Sequence, residues 1–278
     1  MKRVLVTFGT RPEAIKMAPV VAALRERPED FDVRVCVTAQ HRGMLDQVLR
    51  LFAIEPEVDL DLMRPGQTPA QVTSRVLESM TGVMQDAPVD VVLVHGDTTT
   101  AMATALAAFY LETPVGHVEA GLRSGRMDAP FPEEMNRVVI DRMARHLFAP
   151  TPAAAENLAR EGAPAQHVLI TGNTAIDALL QVRDRLDQVP LPVREQVGEA
   201  ARMVLVTAHR RESFGEPLEQ VFAALQALAE AHPDVQFVYP VHPNPRVEGP
   251  ARARLKAENI QLIPPVGYAE LVWLLDRA

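Results

Sequence analysis

Asp97, Glu119 and Glu133 each stand where a buried strand or a proline-stiffened turn gives way to the next segment. Asp97 lies in His95-Gly96-Asp97-Thr98-Thr99-Thr100, Glu119 in His117-Val118-Glu119-Ala120-Gly121-Leu122-Arg123, and Glu133 in Pro130-Phe131-Pro132-Glu133-Glu134. A carboxylate directly behind a buried strand is costly unless it is paired or at work. Each also has an ordinary explanation: Asp97 as a helix cap, Glu119 as the ion-pair partner of Arg123, and Glu133-Glu134 as anions at the positive end of a helix. Glu133 and Arg137 share one helix face.

Cations and imidazoles occupy equivalent places behind other strands. Gly9-Thr10-Arg11-Pro12-Glu13 leads into a helix expected to carry Lys16 in its first turn. Free N–H groups and two positive side chains there suit a phosphate. Gln40-His41-Arg42, Ala208-His209-Arg210-Arg211-Glu212 and His242-Pro243-Asn244-Pro245 each put polar groups after an apolar run. Asp97, Glu119 and Glu133 set against His209, Arg210 and His242 suit proton transfer at a carbon or oxygen beside a charged leaving group. Neither HExxH nor a close His/Asp ligand spacing occurs, and neither a metal nor a cofactor is expected.

Ten short apolar runs must position these residues: 4–8, 33–38, 58–62, 91–95, 115–118, 147–149, 168–171, 204–207, 237–241 and 260–263. Helical patterns alternate with them, as in Leu218, Val221, Phe222, Leu225, Leu228 and Ala229. Most runs are continuous, which suits parallel strands covered on both faces. The alternation predicts βαβ units with right-handed crossovers. Ligands in such sheets bind beyond the C-terminal strand ends, which is where the residues above fall.

At roughly 150 residues per domain, 278 residues make two domains, each with a packed core, since 47% of the chain is apolar. The Val189-Pro190-Leu191-Pro192 punctuation puts the boundary within 172–193. The expected division is a Rossmann-like domain over 1–172 with about seven strands and a second over 173–278 with three. A net charge of −8 argues against a nucleic-acid partner. The longest apolar runs are too short for a membrane span. Cys36 is the single cysteine, read as a buried strand residue, and the location expected is the cytoplasm.

FGTRPEAIKMAP (8–19), TAQHR (38–42), VHGDTTT (94–100), GHVEAGLRS (116–124), PEEMNR (132–137), TGNTAIDAL (171–179), AHRRESFG (208–215) and YPVHPNP (239–245) resemble the non-hydrolysing UDP-N-acetylglucosamine 2-epimerases. The resemblance implies the two-domain GT-B architecture, a homodimer, and a role in supplying cell-surface polysaccharide. It implies reversible elimination and re-addition of UDP, with inversion at carbon 2 between the N-acetylglucosamine and N-acetylmannosamine forms. Asp97, Glu119 and Glu133 would then carry acid–base and charge-stabilising work, joined by His209. Arg11, Lys16 and His209 would hold the diphosphate, and His95, Arg137, His242 and Asn244 would contact substrate. Gln40, His41, Arg210 and His242 match a second UDP-N-acetylglucosamine site that activates bacterial members.

The family pattern continues past Ala278 with a further strand, a Ser/Gly-rich loop before a Glu, and helices that return to the first domain. The chain as written is therefore expected to have an incomplete second domain, to bind UDP weakly and to turn over poorly. A GT-B glycosyltransferase and an inactive sugar-nucleotide-binding fragment are the competing readings. An NAD-dependent epimerase is disfavoured by the missing GxGxxG, and by Tyr110, Tyr239 and Tyr268, none of which has a Lys four residues on.

Overall fold

A computed structural model of the chain describes residues 1–38, 42–64, 66–198, 202–208 and 214–278. They form two compact units, Met1–Ala178 and Leu179–Ala278. The first unit alternates β1 (Lys2–Phe8), α1 (Arg11–Arg25), β2 (Phe31–Val37), α2 (Arg42–Leu51), β3 (Val58–Asp59), α3 (Pro69–Asp86), β4 (Val91–His95), α4 (Thr99–Tyr110) and β5 (Val115–Val118). It continues with α5 (Glu133–Met143), β6 (His146–Ala149), α6 (Pro152–Arg160), β7 (Val168–Ile170) and the start of α7 (Thr174–Arg183).

All strand pairs are parallel, in the order β3-β2-β1-β4-β5-β6-β7. The chain winds outward from β1 to β3, then returns to lay β4 on the other side of β1. That reversal opens a crevice at the C-terminal ends of β1 and β4, where parallel sheets bind ligands.

Strand residues alternate between two apolar layers. Val4, Val6 and Phe8 pack with Met17, Val21, Leu45 and Val48 of α1 and α2. Leu5 points to the opposite layer, with Val76 and Met80 of α3 and Ala101 and Ala105 of α4. With helices on both faces the strands gain nothing from polar alternation, which explains their continuous apolar sequence. The alanines of α4 remove side-chain bulk and let that helix sit close to the sheet.

Helix starts follow their capping residues. Thr10 and Glu13 form a reciprocal capping box on α1, Thr68 and Gln71 another on α3, and Thr98 caps α4. Each cap satisfies amides that the first turn leaves without an intrahelical partner.

The second unit carries the rest of α7, then α8 (Val193–Val197), β8 (Met203–Leu205), α9 (Glu216–Ala231), β9 (Gln236–Pro240), α10 (Pro245–Arg254), β10 (Ile260–Ile263) and α11 (Tyr268–Arg277). Its sheet is parallel with order β10-β9-β8. Phe222 of α9 packs on Tyr239 of β9 with ring centroids 6.0 Å apart, and Leu218, Val241 and Val247 complete that core. The Tyr239 hydroxyl donates to the Ala208 carbonyl at 2.5 Å.

All ten expected strands form, with a correction at the third. The run 58–62 keeps strand geometry only over Val58–Asp59. Leu60 and Leu62 still donate to the Val37 and Thr38 carbonyls at 2.9 and 3.0 Å, but Asp61 between them turns left-handed (φ 44°). Among the described residues no helix is long and apolar enough to cross a membrane.

Gly121 shows how tightly the β5–α5 connection is seated. Its φ is 83°, and an added Cβ would lie 2.3 Å from the Ala154 carbonyl oxygen at the start of α6. Backbone strain and a clash with backbone add here, so Gly121→Ala should cost roughly 2–4 kcal/mol. Urea unfolding of the variant checks this; a loss under about 0.5 kcal/mol would mean that the turn yields.

Candidate functional site

The first strand–helix turn spends its own amides. Glu13, buried, accepts from the Gly9 and Thr10 N–H groups at 3.2 and 2.8 Å, from the Thr10 hydroxyl at 2.7 Å and from the Thr98 hydroxyl at 2.8 Å. Burial raises its carboxyl, against the pull of those donors. Thr98 in turn caps α4 by accepting from the Ala101 N–H at 3.0 Å. Glu13 thereby locks the β1–α1 turn to the β4–α4 turn. At Gly9 and Thr10 the expectation of free turn amides for a phosphate is corrected, because both donate to the protein's own Glu13 carboxyl. Positive charge for a ligand must come from side chains.

Arg11, half-buried at the first position of α1, has no ion-pair partner among the described residues. Lys16 lies in the second turn of α1, deeper than expected. Its ammonium donates to Glu119 Oε1 at 2.6 Å. That contact replaces the Glu119–Arg123 pairing considered from sequence: Arg123 instead pairs with Asp141 at 2.8 Å and with Glu161 at 2.7 Å.

Glu119 follows β5 with φ 70°, a left-handed geometry that a residue with a Cβ rarely adopts. Its Oε1 also accepts from the Asn173 amide at 3.0 Å, just ahead of α7. Its Oε2 lies 3.6 Å from His95 Nε2 at the end of β4. Burial pushes the buried His95 down to about 4, so the ring is neutral, and neither of its nitrogens is hydrogen-bonded among the described residues. Burial would raise Glu119, but His95, Lys16 and Asn173 together hold it below the usual carboxylate range. With His95 neutral, that pull comes from Lys16 and Asn173. Oε1 is thus engaged by two donors, and Oε2 is the oxygen left to take a proton.

Asp97 follows Gly96, whose positive φ of 65° turns the chain out of β4. Its carboxylate meets the Arg137 guanidinium from α5, and its carbonyl accepts from the Asn136 amide at 2.8 Å. Burial raises the Asp97 carboxyl; Arg137 opposes this, and the negative charges of Glu133 and Glu119 add to it. Asp97 is thus close enough to feel both of the other carboxylates. A Cβ placed on Gly96 would lie 3.8 Å from Glu119 Oε2, so that oxygen borders the turn carrying Asp97.

Glu133 is half-buried at the first position of α5, after Pro130 and Pro132, both joined by cis peptide bonds. Although Glu133 and Arg137 share a helix face, the described contacts of Arg137 are with other carboxylates. Arg137 faces Asp97 and lies 3.6 Å from Glu134, while buried Glu134 accepts from the Ser124 and Gly125 N–H groups. In the second unit, His242 is exposed after β9 and its Nδ1 accepts from the Asn244 N–H at 3.1 Å. Asn244 caps α10 by accepting from the Arg246 N–H at 2.9 Å. Gln40, His41, His209 and Arg210 lie outside the described residues. Asn173, Asn136 and Asp141 were not singled out as site residues from sequence. The signal for Asn173 was its place in TGNTAIDAL, one residue after a strand-ending glycine.

Comparison with known proteins bears on the whole chain. The family model described as UDP-N-acetylglucosamine 2-epimerase matches residues 22–278. The UDP-N-acetylglucosamine 2-epimerase of Salmonella typhimurium is 52% identical over 283 residues, covering 99% of this chain and 75% of that protein. The crystal structure of UDP-GlcNAc 2-epimerase from Neisseria meningitidis bound to UDP-GlcNAc superposes with a TM-score of 0.88 at 43% identity, covering 99% of this chain and 76% of that one. The enzyme from Methanocaldococcus jannaschii, in complex with UDP-GlcNAc and UDP, gives a TM-score of 0.79 at 31% identity, covering 99% and 77%. The two Rossmann-like units are of the GT-B type expected. With its carboxylates, its Lys16–Glu119 pair and this similarity along nearly all its length, the chain belongs to the UDP-N-acetylglucosamine 2-epimerase family.

Proposed function

We propose that the chain interconverts UDP-N-acetylglucosamine and UDP-N-acetylmannosamine by eliminating and re-adding UDP. The observation that carries the reading is the grouping of Asp97, Glu119 and Glu133 beside Lys16 at the C-terminal strand ends, in a family whose solved members hold these nucleotides.

Carbon 2 bears no adjacent carbonyl to acidify its proton. Loss of that proton must therefore accompany cleavage of the bond from carbon 1 to the phosphate oxygen, whose electron pair leaves with UDP. Positive charge grows on the sugar and negative charge on the diphosphate. Nearby carboxylates stabilise the first. Arg11, His209 and Lys16 stabilise the second: Lys16 spends one of its three N–H donors on Glu119 and has others for a phosphate. The unsaturated sugar then takes UDP back at carbon 1 and a proton on the opposite face of carbon 2.

Glu119, held below the usual carboxylate range, suits the acceptor of the first proton through Oε2. Asp97, raised, suits the donor of the second; in the reverse direction the roles exchange. Divergent pKa values in one site are how two carboxyl groups acquire two tasks. Glu133 completes the acidic wall, Arg137 holds Asp97, and His242, Asn244 and the neutral ring of His95 serve as polar contacts to substrate. Gln40, His41, Arg210 and His242 are assigned to a second sugar-nucleotide site. The assembly in this reading is a homodimer in the cytoplasm.

In heavy water, incubation with UDP-N-acetylglucosamine should place deuterium at carbon 2 of both epimers; product without deuterium overturns the mechanism. Asp97→Asn, Glu119→Gln and Glu133→Gln should each slow that exchange by about a thousandfold or more while the variants stay folded. One sugar nucleotide bound per protomer by calorimetry, without cooperativity, would remove the second site.

His95 also makes stability depend on pH. Its folded value of about 4 lies below the ordinary 6.5, so between these the unfolded chain binds the extra proton and stability falls as pH drops. The gap is worth about 3 kcal/mol, lost between about pH 6.5 and 4. His95→Asn should flatten the fall in urea midpoint from pH 7 to pH 5; an unchanged slope would show that His95 is not its source.

A further inference from the structure

Gly96, Glu119 and Gly121 all have positive φ, at 65°, 70° and 83°. One wholly buried side-chain pair fastens the turns that contain them. His117 of β5 sets its Nδ1 2.6 Å from Asp141 Oδ1 of α5 and its Nε2 2.7 Å from the Gly96 carbonyl oxygen. Asp141 Oδ2 accepts from the Gly121 N–H at 3.1 Å and pairs with Arg123 at 2.8 Å. Arg123 forks onto both oxygens of Glu161 at 2.7 and 2.8 Å. The Gly96 N–H donates to the Val118 carbonyl at 3.0 Å. Both polar groups of Gly96 are therefore held by β5, one by its backbone and one by His117.

We propose that His117 is a positioning residue, a doubly protonated imidazolium whose two N–H groups fix the Gly96–Asp97 turn directly and the Glu119–Gly121 turn through Asp141, and so set the spacing of Asp97 and Glu119. It rests on the reaction proposed above for its catalytic meaning, and on geometry alone for its charge. Both partners of the ring are acceptors: a carbonyl has no proton to give, and Asp141 already takes N–H groups from Gly121 and Arg123. A neutral imidazole has one N–H and would press a lone pair against one of two oxygens less than 3 Å away. The charges of the cluster balance, with buried His117 and Asp141 paired to each other and half-buried Arg123 and Glu161 closing the network. Burial would raise Asp141, but His117 and Arg123 hold it below its ordinary range.

His117 does not touch the reacting atoms in this arrangement. Its effect is on where two carboxylates on separate loops stand, and a displacement of about 1 Å is enough to cost a hundredfold in rate. The strained geometry of Glu119 makes such a clamp necessary, because a left-handed residue with a side chain relaxes unless its surroundings over-determine it.

The test uses the 278-residue chain labelled with 15N-histidine at pH 7, with His117 assigned by its disappearance in His117→Gln. Long-range proton–nitrogen spectra should show both ring nitrogens protonated; one protonated and one bare nitrogen overturns the imidazolium. In the heavy-water assay, His117→Phe, which has no donor, should lower kcat about a hundredfold with UDP affinity changed less than threefold. His117→Gln, which keeps an amide donor, should recover part of the loss. Unchanged kcat in folded variants, with only a lower Tm, overturns the positioning role. Absence of exchange in the parent chain counts against the epimerase reading, and the nitrogen spectra then still decide the state of His117.

Discussion

An ammonium and a carboxylate at 2.6 Å, Lys16 and Glu119, join the helix that follows β1 to the loop that leaves β5. Each side chain is partly shielded from water, so the pair is neither a free surface contact nor a fully buried one. Its consequence is orientation. Glu119 could turn either oxygen outward, but with Oε1 tied to Lys16 and Asn173 the other is aimed past His95 towards the turn that holds Asp97. Strand order explains why this is possible. β1 and β4 are neighbours although three helices and two strands separate them in sequence, and β5 lies next to β4. Residues 16, 97 and 119 converge because the sheet reverses its winding there.

Much of this was legible beforehand. Ten strands showed as apolar runs because a parallel sheet covered on both faces has no use for alternation. The acids showed because they stand at strand ends, where a charge is unexpected. Long-range pairings did not show. Arg123 is the natural partner of Glu119 by nearness in sequence, and Arg137 shares a helix face with Glu133. The fold instead sends Arg123 to Asp141 and Glu161, and Arg137 to Asp97. Local spacing identifies which charges can meet along a helix and is silent on those meeting across strands. Glu13 was hidden for the opposite reason: capping is a local role, but the bond from Thr98 that makes it a bridge between turns comes from 85 residues away.

The carboxylates are kept unlike one another by different neighbours. Lys16 and Asn173 favour ionised Glu119, whereas Asp97 stands in the field of Glu119 and Glu133 with burial against it, and Arg137 offsets only part of that. The two effects are linked. An ionised Glu119 is one reason Asp97 is raised, so anything that neutralises Glu119 also makes Asp97 a stronger acid. Uptake of a proton by Glu119 is such an event. In the proposed reaction, a proton accepted by Glu119 on one face would prepare the Asp97 carboxyl to give one on the other, with no movement of the chain. The sign of this coupling is set by two like charges on neighbouring turns, which the buried His117–Asp141 pair joins through the Gly96 carbonyl and the Gly121 N–H.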